Sequence, residues 1–201
     1  MYRLPNAITI ARIVLVPIFA IAFALPGNTW RLVAFAVFCI AGLSDALDGL
    51  AARKLNAGSD FGRMLDPIAD KVLVAVALMM LVAEGNIEQF NLEPGLHSLL
   101  KLVPALIILS REILVSGLRE FLAETRVKIR VTAVAKLKTT IQMIAIGAMI
   151  LGPVADQYIP GSAYFAYAAL WVAAGLTVYT GVVYFNEGSK HIRPQSAPGD
   201  A

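Results

Sequence analysis

Six apolar runs, at roughly 8–25, 32–52, 66–83, 98–121, 132–151 and 162–185, take up most of this 201-residue chain. Each is close to the length of about 20 residues that a helix needs to cross a bilayer. In lipid the backbone has no water to bond, so such runs close their hydrogen bonds internally, as helices. Composition agrees: 58% of the residues are hydrophobic and 15% charged, far from the balance of a soluble domain. The expected fold is therefore an all-α integral membrane protein, a bundle of six transmembrane helices. Apart from the polar stretch GNIEQFNLEPG (85–95) the connections are short, and no linker divides the chain. Residues 1–186 read as a single transmembrane domain and 187–201 as a polar C-terminal tail.

The opening MYRLPNAITIARIVLVPIFAIAFALPG has the basic start and apolar core of a cleaved signal, but Arg12 interrupts that core and further spans follow, so it reads as a retained first span. Arg3, Arg53, Lys54, Arg63, Arg119, Arg126, Lys128, Arg130, Lys136, Lys138, Lys190 and Arg193 fall at alternate helix ends, and only Arg31 and Lys101 at the opposite ones. The excess of Lys and Arg on the cytoplasmic side of membrane proteins then places both termini, the 53–65 loop and the 119–138 region in the cytoplasm. Cys39 is alone and can form no intrachain disulfide, and His97 and His191 show no metal-ligand spacing. A net charge of +3 fits anchoring on an anionic membrane face better than binding of nucleic acid.

Against this background the stretch from Ser44 to Lys71, SDALDGLAARKLNAGSDFGRMLDPIADK, is anomalous, because it holds five aspartates. Residues three or four apart share a helix face. Asp45, Asp48, Gly49 and Ala52 thus project together from the end of the second span, and Gly62, Asp66 and Asp70 from the start of the third. A turn around Gly58, Ser59 and Asp60 brings the two pairs together. Pro67 is tolerated in a first helical turn, so the third helix is expected to start near Arg63–Asp66. Asp60 suits a cap or a solvated loop. The other four are expensive in or beside a span and so mark a function. Converging carboxylates repel one another and need positive charge. Two hard divalent cations, Mg²⁺ or alternatively Mn²⁺, meet that need, and such pairs act on phosphoryl groups. Gly49, Ala52 and Gly62 leave room for close approach of a phosphate-bearing substrate, and Arg53 could fork onto a pyrophosphate.

Asp45-x₂-Asp48-Gly49-x₂-Ala52-Arg53-x₈-Gly62-x₃-Asp66-x₃-Asp70 resembles, at all eight fixed positions, the signature of the CDP-alcohol phosphatidyltransferases. The resemblance implies a six-helix membrane enzyme, commonly a homodimer, with its site facing the cytoplasm. It implies that Asp45, Asp48, Asp66 and Asp70 hold two metals, that Asp48, Gly49, Ala52, Arg53 and Gly62 surround the CDP group, and that Asp70 is the general base. The segments LPNAITIAR (4–12), SREILVSGLRE (110–120) and KLKTTIQM (136–143) are similar to the bacterial branch whose acceptor is glycerol 3-phosphate. For that branch the reaction joins CDP-diacylglycerol and glycerol 3-phosphate into phosphatidylglycerophosphate and CMP at the inner membrane.

These segments also have a reading from the residues themselves. Asn6, Thr9 and Arg12 form one polar stripe on the first helix, suited either to the nucleotide or to gluing helices together. An acceptor phosphate needs cations, and Arg111, Arg119, Lys136 and Lys138 are the candidates. Glu112 and Arg119, two turns apart on one face, could instead form an internal ion pair. Lys136 and Lys138 could snorkel to headgroups. Other acceptors (inositol phosphate, serine, phosphatidylglycerol), a membrane prenyltransferase and an ion transporter are the alternatives. The aspartate spacing disfavours the prenyltransferase, and a cluster at a helix end rather than at the bilayer midplane disfavours the transporter.

Overall fold

The computed structural model describes residues 3–55, 60–84, 94–124 and 133–192, with side chains placed for 10–44, 68–69, 71–84, 99–122 and 137–189. Among the described residues there are six helices and no strand: α1 (Arg3–Ala24), α2 (Asn28–Leu55), α3 (Asp60–Ala83), α4 (Pro94–Glu124), α5 (Ala133–Tyr158) and α6 (Ser162–Ile192). Every apolar run is a helix, and each helix outruns its apolar stretch at one end or both. Hydropathy marks the thickness of lipid, whereas a helix continues until its backbone bonding is broken or capped.

That distinction corrects the expected start of the third helix. α3 begins at Asp60, so Pro67 is its eighth residue rather than part of its first turn. With no N–H at position 67, the carbonyl of Arg63 lacks its helical partner, a loss that neighbouring helices or water can make good. At the other end of the chain α6 passes Asn186 and runs to Ile192, so the first residues of the expected tail are helical. Residues 193–201 lie outside the described ones.

Two tight breaks set the hairpins. Gly27 (φ 102°) follows Pro26 between α1 and α2, and Gly161 (φ 88°) follows Pro160 between α5 and α6. Both need the left-handed conformation that glycine adopts without a Cβ clash. At the second break Asp156 Oδ1 accepts from the backbone N–H of Gly161 (2.9 Å) and of Ala163 (3.3 Å) and from the Ser162 hydroxyl (3.4 Å). These bonds satisfy donors that the first turn of α6 would leave open.

The helices close a ring in the order α1, α2, α5, α6, α4, α3, with α3 also touching α5 and α2 inside it. Polar links fix which ends lie together. Arg31 at the start of α2 pairs with Glu84 just past α3, which is 3.9 Å from Lys101 near the start of α4. The amides of Asn28 (α2) and Gln157 (α5) bond at 2.7 Å. The starts of α2 and α4 therefore share one end with the ends of α3 and α5. The opposite end gathers the start of α1, the end of α2 and the start of α3.

The interior is mainly apolar, with Phe19, Phe38, Leu73, Leu78, Ile108 and Ile146 buried, and it also holds Arg12, Lys101, Lys138 and Gln142. Close helix approach uses small residues, as expected where lipid tails are as apolar as leucine and fit decides association. A Cβ on Gly147 of α5 would lie 3.2 Å from the Phe35 ring of α2. The outer surface is equally apolar: Ile10, Val14, Ile18 and Ile21 line one exposed face of α1, and Phe165, Val172, Tyr179 and Phe185 lie exposed on α6. Apolar surface on this scale suits lipid rather than water. Leu137–Tyr158 and Ser162–Ser189 are each long and apolar enough to cross a membrane, and Ile10–Ala24, Asn28–Ser44 and Lys71–Ala83 are shorter apolar helical stretches.

Candidate active site

Helical register shows where the aspartates fall. On α2 the buried residues Ala34, Phe38 and Ala41 form a stripe, and Asp45 and Asp48 occupy its next positions at intervals of four and three. On α3 the buried stripe Ala69, Leu73, Ala77 extends back to Asp70 and Asp66 by the same spacing. The depths match as well. Asp48 is seven residues before the end of α2 and Asp66 six after the start of α3, while Asp45 and Asp70 are each ten residues from the connection at 56–59. At a rise of about 1.5 Å per residue, the two pairs sit at corresponding levels of neighbouring antiparallel helices. α1 packs against both helices. Its Arg12 is 1% exposed, and register puts Asn6 and Thr9 on the same face.

The side chains of Asn6, Thr9, Asp45, Asp48, Gly49, Ala52, Arg53, Gly62, Asp66, Asp70 and Lys136 lie outside the described ones, although each residue has a described helical position. Among the described side chains no three His, Cys, Asp or Glu come together.

Of the basic candidates on α4 and α5, Arg111, Arg119 and Lys138 have described side chains. Lys138 of α5, whose side chain is 3% exposed, pairs with Glu112 Oε1 on α4. Arg111 Nη1 donates to the same oxygen at 3.3 Å, and its Nη2 donates to Thr180 Oγ1 of α6 at 3.1 Å. Lys138 therefore does not snorkel outward, and its charge is met inside the bundle. Glu112 thus pairs with these two cations and not with Arg119, the alternative partner along its own helix. Seven residues along one helix is a separation of about 10 Å, too far for direct contact, whereas α5 brings an ammonium across the interface. Arg119 is exposed on α4.

Thr180, Gly181 and Tyr184 were not singled out by sequence reasoning. The available signal was two threonines and a glycine, Thr177, Thr180 and Gly181, in an otherwise aliphatic and aromatic span. Nothing in that stretch by itself points to an arginine 69 positions earlier in the chain.

Four aspartate positions that continue the buried stripes of α2 and α3 by register, with the buried Lys138–Glu112–Arg111 network on α4 and α5, are an arrangement that suits the phosphoryl-transfer class of enzyme. The model of the CDP-alcohol phosphatidyltransferase family matches residues 2–179, and the chain belongs to that family. The chain is 39% identical over 192 residues to the CDP-diacylglycerol--glycerol-3-phosphate 3-phosphatidyltransferase of Rickettsia felis, covering 94% of this chain and 97% of the relative. Proteins of the same name from Rickettsia typhi and Bacillus subtilis are each 40% identical to it, over 92% and 93% of this chain.

Proposed function

We propose that this protein transfers the phosphatidyl group of CDP-diacylglycerol to the 1-hydroxyl of glycerol 3-phosphate, giving phosphatidylglycerophosphate and CMP. The observation that carries this reading is the continuation of two buried helix stripes into Asp45/Asp48 and Asp66/Asp70 at matching depth, in a chain whose relatives are named for that reaction.

The donor set fits hard divalent cations, since the four aspartates offer carboxylate oxygens and the signature stretch holds no thiolate or imidazole. Asp45, Asp48, Asp66 and Asp70 would hold two Mg²⁺, which supply charge to offset the pyrophosphate and the departing phosphate. Gly49, Ala52 and Gly62 leave room for the CDP group, and Arg53, Asp48, Asn6 and Thr9 orient it. Arg111, Arg119, Lys136 and Lys138 furnish the cationic pocket for the acceptor's phosphate. With both substrates seated, Asp70 accepts the proton of the acceptor hydroxyl. The new bond forms between that oxygen and the β-phosphorus as the bond from phosphorus to the bridging oxygen breaks, and CMP departs with those electrons. Holding two substrates in line removes much of the entropic barrier.

The membrane arrangement belongs to the same proposal. All six helices cross the bacterial inner membrane, with both termini and the site on the cytoplasmic side, as the distribution of Lys and Arg supports. The working unit is a homodimer.

CMP release by detergent-purified protein with CDP-diacylglycerol tests the reading. CMP is expected only with glycerol 3-phosphate and divalent metal. Release with inositol phosphate, serine or phosphatidylglycerol instead would keep the chemistry and replace the acceptor; no release with any alcohol would overturn the proposal.

A further inference from the structure

Arg111 is held by more than its own helix. Its Nη2 reaches Thr180 Oγ1 on α6, a buried hydroxyl within 2.9 Å of the Leu176 carbonyl and 3.1 Å of the Thr177 carbonyl. A hydroxyl has one proton to give. Because that proton is directed to the α6 backbone, Thr180 is left as an acceptor, which is what a guanidinium requires. The next residue, Gly181, makes room for the stem: a Cβ there would lie 3.1 Å from Arg111 Cγ and 3.7 Å from Nε. One turn on, the ring of Tyr184 lies 5.9 Å from Arg111 Cζ, at the outer reach of a cation–π contact. From the other side Glu112 Oε1 takes Nη1. With these two bonds made, one N–H on each terminal nitrogen remains for another acceptor.

We infer that Thr180 and Gly181 of α6 are positioning residues that fix the direction of the Arg111 guanidinium for the phosphate of the acceptor alcohol. The inference rests on the proposed reading of Arg111 as an acceptor-phosphate ligand. It assigns to α6, which carries none of the signature aspartates, a part in acceptor specificity. A guanidinium free to rotate would bind a phosphate monoester with little preference for where the rest of the molecule lies. One seated on α6 presents a fixed donor pair, so the acceptor hydroxyl is held at a set distance from the CDP-lipid.

The test is steady-state kinetics on purified enzyme in detergent, varying glycerol 3-phosphate and CDP-diacylglycerol separately, for Arg111→Gln, Thr180→Val, Thr180→Ser, Gly181→Ala and the double variant Arg111→Gln/Thr180→Val. Valine keeps the shape of threonine and removes the hydroxyl, and with it both the acceptor for Arg111 and the donor to the α6 backbone. Losing a hydrogen bond to a charged group should raise KM for glycerol 3-phosphate about tenfold in Thr180→Val. KM for CDP-diacylglycerol should change less than about twofold on the same grounds, Thr180→Ser should restore the wild-type value, and Thr180→Val should add nothing once Arg111 is already glutamine. Gly181→Ala should shift the same constant in the same direction, and it carries the comparison if Thr180→Val does not fold. If Arg111→Gln raises the acceptor KM while the α6 variants do not, or if the two effects multiply, the inference falls and the reading of Arg111 stands. An acceptor KM unmoved by Arg111→Gln would instead remove Arg111 from the phosphate site. A fall in thermal stability with both KM values rising together would show that Thr180 only packs helices, and would also overturn the inference.

Discussion

The carboxylate of Glu112 is held between two cations, whereas that of Asp70 is proposed to take up a proton, and single substitutions should separate the two roles. Asp70 is proposed to accept a proton at the reacting oxygen, so Asp70→Asn is expected to abolish CMP release while leaving CDP-lipid binding largely intact, read by equilibrium binding to the purified variant. Asp45→Asn or Asp66→Asn should instead weaken the dependence on Mg²⁺, seen as a metal titration of activity displaced to higher concentration. Glu112 meets two cations, Lys138 and Arg111. Taking its charge away leaves the buried Lys138 ammonium without that partner, a loss that costs roughly 3–5 kcal/mol when one member of a buried pair is removed. Glu112→Gln should therefore lower the unfolding midpoint in detergent sharply, and adding Lys138→Met should recover much of the loss.

At the scale of helices, the ends and crossings matter more than the apolar runs. Asp156 of α5 closes the first turn of α6 through three bonds. Asp156→Ala should cost about 1 kcal/mol, typical of a lost helix cap, measured by reversible unfolding in detergent, with activity retained because the break lies at the end away from the aspartates. The early start of α3 places Pro67 between Asp66 and Asp70. The missing bond, from position 67 to the Arg63 carbonyl, spans Asp66 and ends before Asp70. α4 and α6 have their own close contact, in which a Cβ on Gly188 would meet Leu118 and Leu122 within 3.3 Å. That seam sets the separation at which Thr180 can reach Arg111.

For the whole molecule, the two ends of the bundle carry different charge chemistry. One end gathers the register positions of four aspartates and the α4–α5–α6 cation network. The other holds Arg31, Glu84 and Lys101 in a compact group, beside a cavity of about 520 Å³ lined in part by Phe23, Gly27 and Met80. Arg31 and Lys101 are the two basic residues set apart from the helix end where the other terminal Lys and Arg gather, and Glu84 partly offsets them. If the proposed orientation holds, Tyr158→Cys, exposed at this end, in a Cys39→Ser background, should be labelled by an impermeant maleimide added outside intact cells. Lys190→Cys should be protected until the membrane is opened; the reverse pattern would invert the bundle. Chelation by EDTA should stop CMP release, and added Mg²⁺ should restore it.

By itself the sequence determined the six helices, since the apolar runs fold as helices in lipid, and it determined the chemical class, since eight fixed residues over Asp45–Asp70 lie on two consecutive helices whose spacing is local. It could not decide the cationic side of the site. Along its own helix Glu112 had Arg119 as an alternative partner, and only packing showed Lys138 of α5 and Arg111 in its place. It could not flag Thr180 or Gly181, whose part depends on α4 and α6 being neighbours although 69 residues separate Arg111 from Thr180. Contacts within a helix follow from a fixed rise and a fixed period; contacts between helices depend on which faces meet, and that is settled by the fit of the whole bundle.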